Sequence, residues 1–599
     1  MPMSFETWPS LPGMFFDQAA RHPDRPFLWA KQGDAYAAQS FGEVAAAVRA
    51  LARSLAALGI EPGERVALVS ENRPEWAIAD LAIMTAGAIT VPTYTTNTSR
   101  DHRHILTDCT ASAVVVSNAA LARRLVPAFG ECPSVRFVVM IEPVEPGGLI
   151  AVPIHRWDRL IEDGRGLDDA AINARLAAVT RQDTACLIYT SGTGGSPKGV
   201  MQRHEAIMHN CMGAHHLLSQ LGLGDEVFLS FLPLSHSYEH TCGLYFPIAI
   251  AAQIYYAEGV ETLAANLQEA RPTILVAVPR LFEVMRERIL RATRNKGGLR
   301  AKLFELTLRL GAKAYAEPER MSLLERLGNR LMGLLVRRKA AERFGGRLKA
   351  MISGGAPLNP EVGLFFTALG LRLLPGYGQT EAGPVVSCNP PFGAKLGAVG
   401  PPFKDVEVRI AEDGEILVRG PLVMSGYWGD PAASRIALRD GWLHTGDIGR
   451  IDADGHLHIT DRKRDIIVLS GGDNVSPQRV EGILMLQQEI GQAMAFGDHH
   501  SYVVALLVPD ETFMQAWAAA HGKRATLAAL AGEPAFREAM TAAVERANRD
   551  LSSIERIKRF ALADEPFSVD NGQMTPTLKV RRHKVLKVYR ERLKALYRG

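Results

Sequence analysis

The stretch Tyr189–Val200 reads "YTSGTGGSPKGV". Glycines and hydroxyl residues run up to a single lysine, Lys198. Backbone N–H groups freed by glycine can converge on an anion, and one ammonium adds charge, so the chemistry suits a phosphate. The commonest phosphate loop has the order G-x-x-x-x-G-K-[ST]. Here Pro197 stands in place of the second glycine, and Gly199 in place of the hydroxyl residue that would hold magnesium. The stretch is a candidate nucleotide loop that departs from the commonest template, and the surrounding chain decides what it does.

Strand-like and helix-like runs alternate on both sides of it. "RVALVS" (65–70) precedes the helically spaced "EWAIADLAIMTAG", and "AVVVSN" (113–118), "EVFLSFLPL", "TILVAVP" and "LKAMISGGA" continue the pattern. Strands separated by helices predict parallel sheet in a layered α/β fold. Around 400–455 the texture changes to alternating strands with a tight "EDGE" turn, which predicts a small antiparallel β subdomain. Five charged residues then occupy Asp461–Asp465, and a smaller α/β piece follows. The division predicted is an N-terminal domain over 1–460, a linker over 461–466 and a C-terminal domain over 467–599.

At 599 residues the chain is too long for one core, and 47% apolar with 22% charged residues is ordinary for a soluble protein. A net charge of +4 argues against a dedicated nucleic-acid binder. The six cysteines form no C-x-x-C pair, so neither a zinc site nor a disulfide framework is expected, and a reducing, cytoplasmic setting fits. The N-terminus does not read as a signal peptide. The apolar run Gly243–Gly259 is too short to span a bilayer and reads as buried strand or helix. Charge is uneven: residues 286–349 hold 18 Lys/Arg against 6 Asp/Glu, a net of +12, which leaves −8 for the remainder. This leucine-rich stretch reads either as basic-faced surface helices or as an element drawn to anionic lipid, with peripheral contact at the inner membrane surface.

Five stretches in order, "YTSGTGGSPKGV", "PGYGQTEA" (375–382), "LHTGDIG" (443–449), "DRKRDIIVLSGGDNVSP" (461–477) and "MTPTLKVRR" (574–582), resemble the adenylate-forming superfamily. That group contains acyl-CoA synthetases, luciferases and peptide-synthetase adenylation domains, and the resemblance spans nearly the whole chain. "VPRLFE", the basic helical insert and "TPTLK" resemble the long-chain fatty-acid–CoA ligases in particular. The resemblance implies ATP-driven conversion of a fatty acid to acyl-AMP, with Mg²⁺, then transfer to CoA. A fatty acyl-AMP ligase that serves a carrier protein is the alternative. The uninterrupted 461–477 stretch favours CoA, and a non-catalytic binding protein is the reading from another class. The family includes homodimers, so a homodimer is an open expectation.

The resemblance also assigns residues. Thr190, Ser191, Gly192, Thr193, Gly194 and Lys198 would hold the β- and γ-phosphates, with Gly194 where the family commonly has threonine. Gly354 and Gly355 of "SGGAP" would wall the nucleotide. Tyr377 would offer a flat face to adenine beside Gly378 and Gln379, and Thr380 would reach the α-phosphate or substrate carboxylate. Glu381, with Thr190, would ligate Mg²⁺ as hard oxygen donors. Asp447 and Arg462 would hold the ribose, and Lys579 would stabilise the adenylation transition state. His236 would line or gate the acyl pocket, Arg464 would serve as hinge, and Gly471 and Gly472 would line a CoA tunnel once the C-terminal domain has turned.

Overall fold

The computed structural model describes residues 5–143, 152–190, 197–259, 261–575 and 579–598. Two large sheets carry the N-terminal part. In the first, seven strands run in the spatial order Ile154–Arg156, Phe137–Met140, Ala113–Val116, Arg65–Val69, Ile89–Pro92, Thr184–Thr190, Lys198–Arg203. All neighbours are parallel except the last pair. The four-residue strands Ala113–Val116 and Phe137–Met140 are buried at every position, as parallel strands covered on both faces require. The second sheet has eight strands, including Val227–Ser230, Ile274–Ala277, Ala350–Ser353 and Leu373–Tyr377, and is likewise parallel inside with antiparallel edges. The α/β expectation holds.

The run Gly243–Gly259 is interior: Leu244, Tyr245 and Ile248 have no exposure, and Gln253–Tyr256 is a strand of the second sheet. The basic insert is a long helical crossover between Ile274–Ala277 and Ala350–Ser353, built mainly of helices Pro279–Lys296, Gly298–Ala316 and Leu323–Met332.

The β subdomain is a five-stranded sheet whose paired neighbours are antiparallel, and it extends further than the texture of the sequence suggests. Its last strand is Leu457–Arg462, so Asp461 and Arg462 belong to the sheet and not to a free linker. Asp461 is 1% exposed and accepts hydrogen bonds from Ser476 Oγ and the Arg462 N–H, each at 2.6 Å. Part of a charge run is thus buried because its carboxylate is satisfied locally. The "EDGE" turn is present, with Gly414 at φ +84° between strands Glu407–Ile410 and Glu415–Arg419.

Beyond it, Ile490–Phe496, Val503–Pro509 and Ile557–Leu562 form a three-stranded sheet. One apolar cluster on its faces gathers Val480, Leu507, Phe536 and Met540, another Val504, Val585 and Leu593. All six cysteines are free thiols. No helix among the described residues is long and apolar enough to cross a membrane.

Candidate active site

A cleft of about 2950 Å³ opens between the two large sheets, the β subdomain and the C-terminal sheet. Single small-molecule pockets are commonly about 300–1,000 Å³, so this one has room for more than one substrate. Thr190, Lys198, His236, Gly354, Gly355, Tyr377, Gly378, Gln379, Thr380, Glu381, Asp447, Arg462, Arg464 and Lys579 all line it. Residues as far apart in the chain as Thr190 and Lys579 are therefore brought together. Ser191, Gly192, Thr193 and Gly194 lie outside the described residues. Gly471 and Gly472 are not at the cleft; they occupy the exposed end of the hairpin formed by Ile467–Val468 and Asn474–Val475.

The flanks of the glycine loop are defined. Strands Thr184–Thr190 and Lys198–Arg203 pair antiparallel, with Thr190 opposite Lys198 and Tyr189 opposite Gly199. A β-carbon at Gly199 would sit 3.0 Å from the Tyr189 ring, so glycine here lets that ring cross the neighbouring strand. Tyr189 Oη in turn donates to Asp108 at 2.5 Å. Lys198 Nζ lies 3.3 Å from Asp430 and 5.1 Å from the centre of the Tyr427 ring. A phosphate at this lysine would compete with one exposed carboxylate.

Asp447 anchors the opposite wall. It is 4% exposed and projects from strand Trp442–Ile451 opposite Arg462 on the next strand. Arg462 Nε approaches Asp447 Oδ1 at 3.2 Å, and Tyr377 Oη donates to Oδ2 at 2.7 Å. Burial pushes the Asp447 carboxyl above its ordinary range, against the pull of Arg462, Tyr377 and Lys579. Burial likewise drives the Tyr377 phenol well up, so Tyr377 stays a donor. Tyr377 therefore does more than offer a flat face: it orients the carboxylate.

Gly378 has a packing reason to be glycine, because its β-carbon would meet the Pro384 carbonyl oxygen at 1.9 Å. Thr380 Oγ1 is 2.9 Å from Ser237 Oγ, and its carbonyl accepts from Gln202 Nε2 at 2.7 Å. Glu381 Oε1 accepts from Tyr427 Oη at 2.9 Å. The other carboxylate oxygen receives no hydrogen bond among the described residues, and Glu381 and Thr190 both line the cleft, a sparse hard-oxygen set. Such a set suits Mg²⁺, which keeps waters and takes phosphate oxygens as its other ligands. Among the described residues no cluster of three or more His, Cys, Asp and Glu could hold a metal alone.

Lys579 enters from the C-terminal part. Its N–H donates to Thr575 Oγ1 at 3.0 Å, the Thr575 N–H donates back to its carbonyl at 2.8 Å, and Met574 bridges to Val580. Burial, and then the positive charge of Arg462, lower the Lys579 ammonium to about 8, opposed by Asp447 and Glu381. The same lysine, after burial, helps drive His236 down to about 3, so that imidazole is neutral. His236 Nδ1 accepts from the Tyr238 N–H at 3.1 Å and caps the short helix Ser237–Glu239. Arg582 is a strut and not a second catalytic cation: it pairs with Glu481 and donates to the Ala495 carbonyl at 2.8 Å.

Sequence reasoning missed Tyr427, Asp430 and Ser237, which hold Glu381, Lys198 and Thr380. It also missed a sealed group in which His240 Nε2 and Tyr245 Oη lie 2.8 and 2.6 Å from Asp80 Oδ2. The proximity of "SGYWGD" to the β subdomain was the available signal for the first two.

This is the architecture of an adenylate-forming enzyme, and the comparisons agree. AMP-binding enzyme signatures cover residues 15–428, and those of the AMP-binding enzyme C-terminal domain cover 464–599. The chain belongs to the AMP-binding enzyme family. It is 35% identical over 564 residues to the long-chain-fatty-acid–CoA ligase FadD15 of Mycobacterium tuberculosis, covering 93% of this chain and 91% of that one. It is 31% identical to the peroxisomal long chain acyl-CoA synthetase 6 of Arabidopsis thaliana, covering 94% and 82% of the two chains. Among solved structures, the adenylation domain of a carboxylate reductase from Mycobacterium chelonae superposes with a TM-score of 0.77 at 21% identity, covering 98% and 91%. A benzoate CoA ligase from Burkholderia xenovorans gives 0.70 at 21%, covering 96% and 99%.

Proposed function

We propose that this protein activates a long-chain fatty acid with ATP and transfers the acyl group to CoA. The observation that carries the reading is the convergence of Lys579 with the Tyr377–Asp447–Arg462 group in one cleft. The names of the relatives support the same substrate class.

Activation begins with a carboxylate oxygen attacking the α-phosphorus. The P–O bond to the β-phosphate breaks, and pyrophosphate leaves with that bond's electrons. An anion attacks a polyanion, so the barrier is charge, and positioned cations lower it most. Asp447, held by Tyr377 and Arg462, offers acceptor oxygens to the ribose diol. Lys198 leaves Asp430 for the terminal phosphates. Thr380, braced by Ser237, donates to the α-phosphate or the attacking carboxylate. Lys579 places its ammonium where negative charge gathers. Thr190 and Glu381 would hold Mg²⁺, whose chemistry is to neutralise phosphate charge. In the second half, a thiolate sulfur attacks the acyl carbon and the C–O bond to AMP breaks. Lys579 is not needed there, and a turn of the C-terminal domain near Arg464 would replace it with Gly471 and Gly472.

The test is pyrophosphate release across fatty acids of increasing chain length, with and without CoA. Acyl-CoA formed from long-chain acids supports the reading. Acyl-AMP that accumulates unchanged when CoA is added would overturn it.

A further inference from the structure

The helix Leu323–Met332 turns its leucines away from the protein. Leu323, Leu324, Leu327 and Leu331 are 84%, 82%, 66% and 50% exposed, and Leu334 and Leu335 beyond them are 69% and 43% exposed. At about 100° per residue the four helical leucines fall within an arc of about 100°, one unbroken outward stripe. The inward face is small: Gly328 rests against Leu310, and Met332 is 2% exposed.

The helix cannot roll to hide the stripe. Ser322 and Glu325 form a capping box, and Glu325 also receives Lys313 Nζ of the neighbouring helix at 2.7 Å. Arg337 donates to the Ala368 carbonyl at 2.8 Å and to Asn329 Oδ1 at 2.6 Å. Exposed Arg330 on the same helix, and exposed Lys339 and Arg343 in the helical segment that follows, have no carboxylate partner among the described residues.

We infer that this surface docks on an anionic lipid bilayer, with the leucines entering the acyl boundary and the cations meeting headgroup phosphates. Contiguous apolar surface on a water-facing helix marks an interaction site, and leucine flanked by Arg and Lys is the pattern of a helix lying in a membrane interface. The stripe faces solvent along its length. A second copy packed on it symmetrically would oppose like charges, which disfavours a dimer there. The insert carries +12 on a chain otherwise at −8, so positive charge is concentrated in the segment that bears the stripe. Docking does not depend on the activity proposed above.

The test is co-sedimentation of the full chain with phosphatidylcholine vesicles containing or lacking phosphatidylglycerol. Binding is expected only with phosphatidylglycerol and should weaken at least tenfold at high salt. The variants Leu323→Ser/Leu327→Ser/Leu331→Ser and Arg330→Glu/Lys339→Glu/Arg343→Glu should each weaken it at least tenfold, with melting curves unchanged. Amide hydrogen exchange of the wild-type chain with vesicles, which needs no variant, should protect 320–343. Equal binding to both vesicle types, no binding, or full binding by the leucine variant would overturn the inference. A wild-type dimer that the leucine variant turns into monomer would also overturn it, in favour of a second copy.

Discussion

Lys579 offers the sharpest test, because its two requirements conflict. The proposed adenylation role needs the ammonium, yet burial and Arg462 lower its pKa from 10.5 to about 8. The direction matters. With the pKa depressed, the docked segment is penalised by the charge below about pH 8. That penalty fades between about 8 and 10.5 as the proton is lost. A bound triphosphate supplies the missing counter-charge and restores the ammonium. Binding of a non-hydrolysable ATP analogue should therefore take up about 0.1 proton at pH 7, about 0.5 at pH 8 and about 0.9 at pH 9. Titration calorimetry in buffers of different ionisation enthalpy reads this directly, with the analogue's own protonation subtracted. In Lys579→Met the uptake should vanish. Adenylation by that variant should fall by about 10²–10³, while thioester formation from supplied acyl-AMP stays within a few-fold. Undiminished uptake in the variant, or equal loss of both half-reactions, would refute the assignment.

Asp447→Asn keeps the shape but loses the charged acceptor held by Tyr377 and Arg462, so KM for ATP should rise about 10–100-fold; unchanged KM would remove Asp447 from the ribose site. Gly378→Ala drives a methyl into the Pro384 carbonyl, and should lower the melting midpoint by about 3 °C or more. An unchanged midpoint with a raised KM for ATP would give Gly378 a ligand role alone. Burial raises the Glu239 carboxyl to about 8, above an ordinary value of 4.5. Its acid form is the one the fold prefers, so stability should decline from about pH 4.5 to about pH 8 and then level off. Glu239→Gln mimics the neutral acid and should flatten that decline in pH-dependent melting; a parallel curve would mean the carboxyl is ionised in the fold.

The cleft was legible where chemistry is local. Thr190, Lys198, Tyr377, Asp447 and Lys579 each sit in a short motif, and all line the same cleft. What was not legible depends on register and on which face is turned out. Tyr377 meets Asp447 only because an edge of the second sheet abuts the β subdomain, across 70 residues of chain. Asp461 and Arg462 read as a solvated linker because a charge run carries no sign of the strand pairing that buries its first carboxylate. The leucines at 323–335 have helical spacing, which predicts an apolar face but not its direction. A helix packed through Gly328 and Met332 presents that face to solvent, opposite to the usual expectation.

The placement of the charges bears on how one cleft could serve two reactions. The cations proposed to grip the nucleotide, Lys198 and Arg462, belong to the large part of the chain and are each held by an acid, Asp430 or Asp447. Lys579 is different: among the described residues it makes no ion pair within 4 Å, and Asp447 and Glu381 favour its charge only from a distance. The segment after it is fastened to the C-terminal part through Arg582, which pairs with Glu481 and donates to the carbonyl of Ala495 in the C-terminal sheet. A lysine tied mechanically to one part, and electrostatically to a triphosphate bound by the other, links domain position to phosphate charge. Once pyrophosphate departs, the counter-charge that paid for burying the ammonium falls. The docked arrangement then loses its advantage at the step where the thiol must enter. On this reasoning the depressed pKa of Lys579 supplies the bias toward turning, and Lys579→Met should weaken the coupling between nucleotide binding and domain position as well as the chemistry.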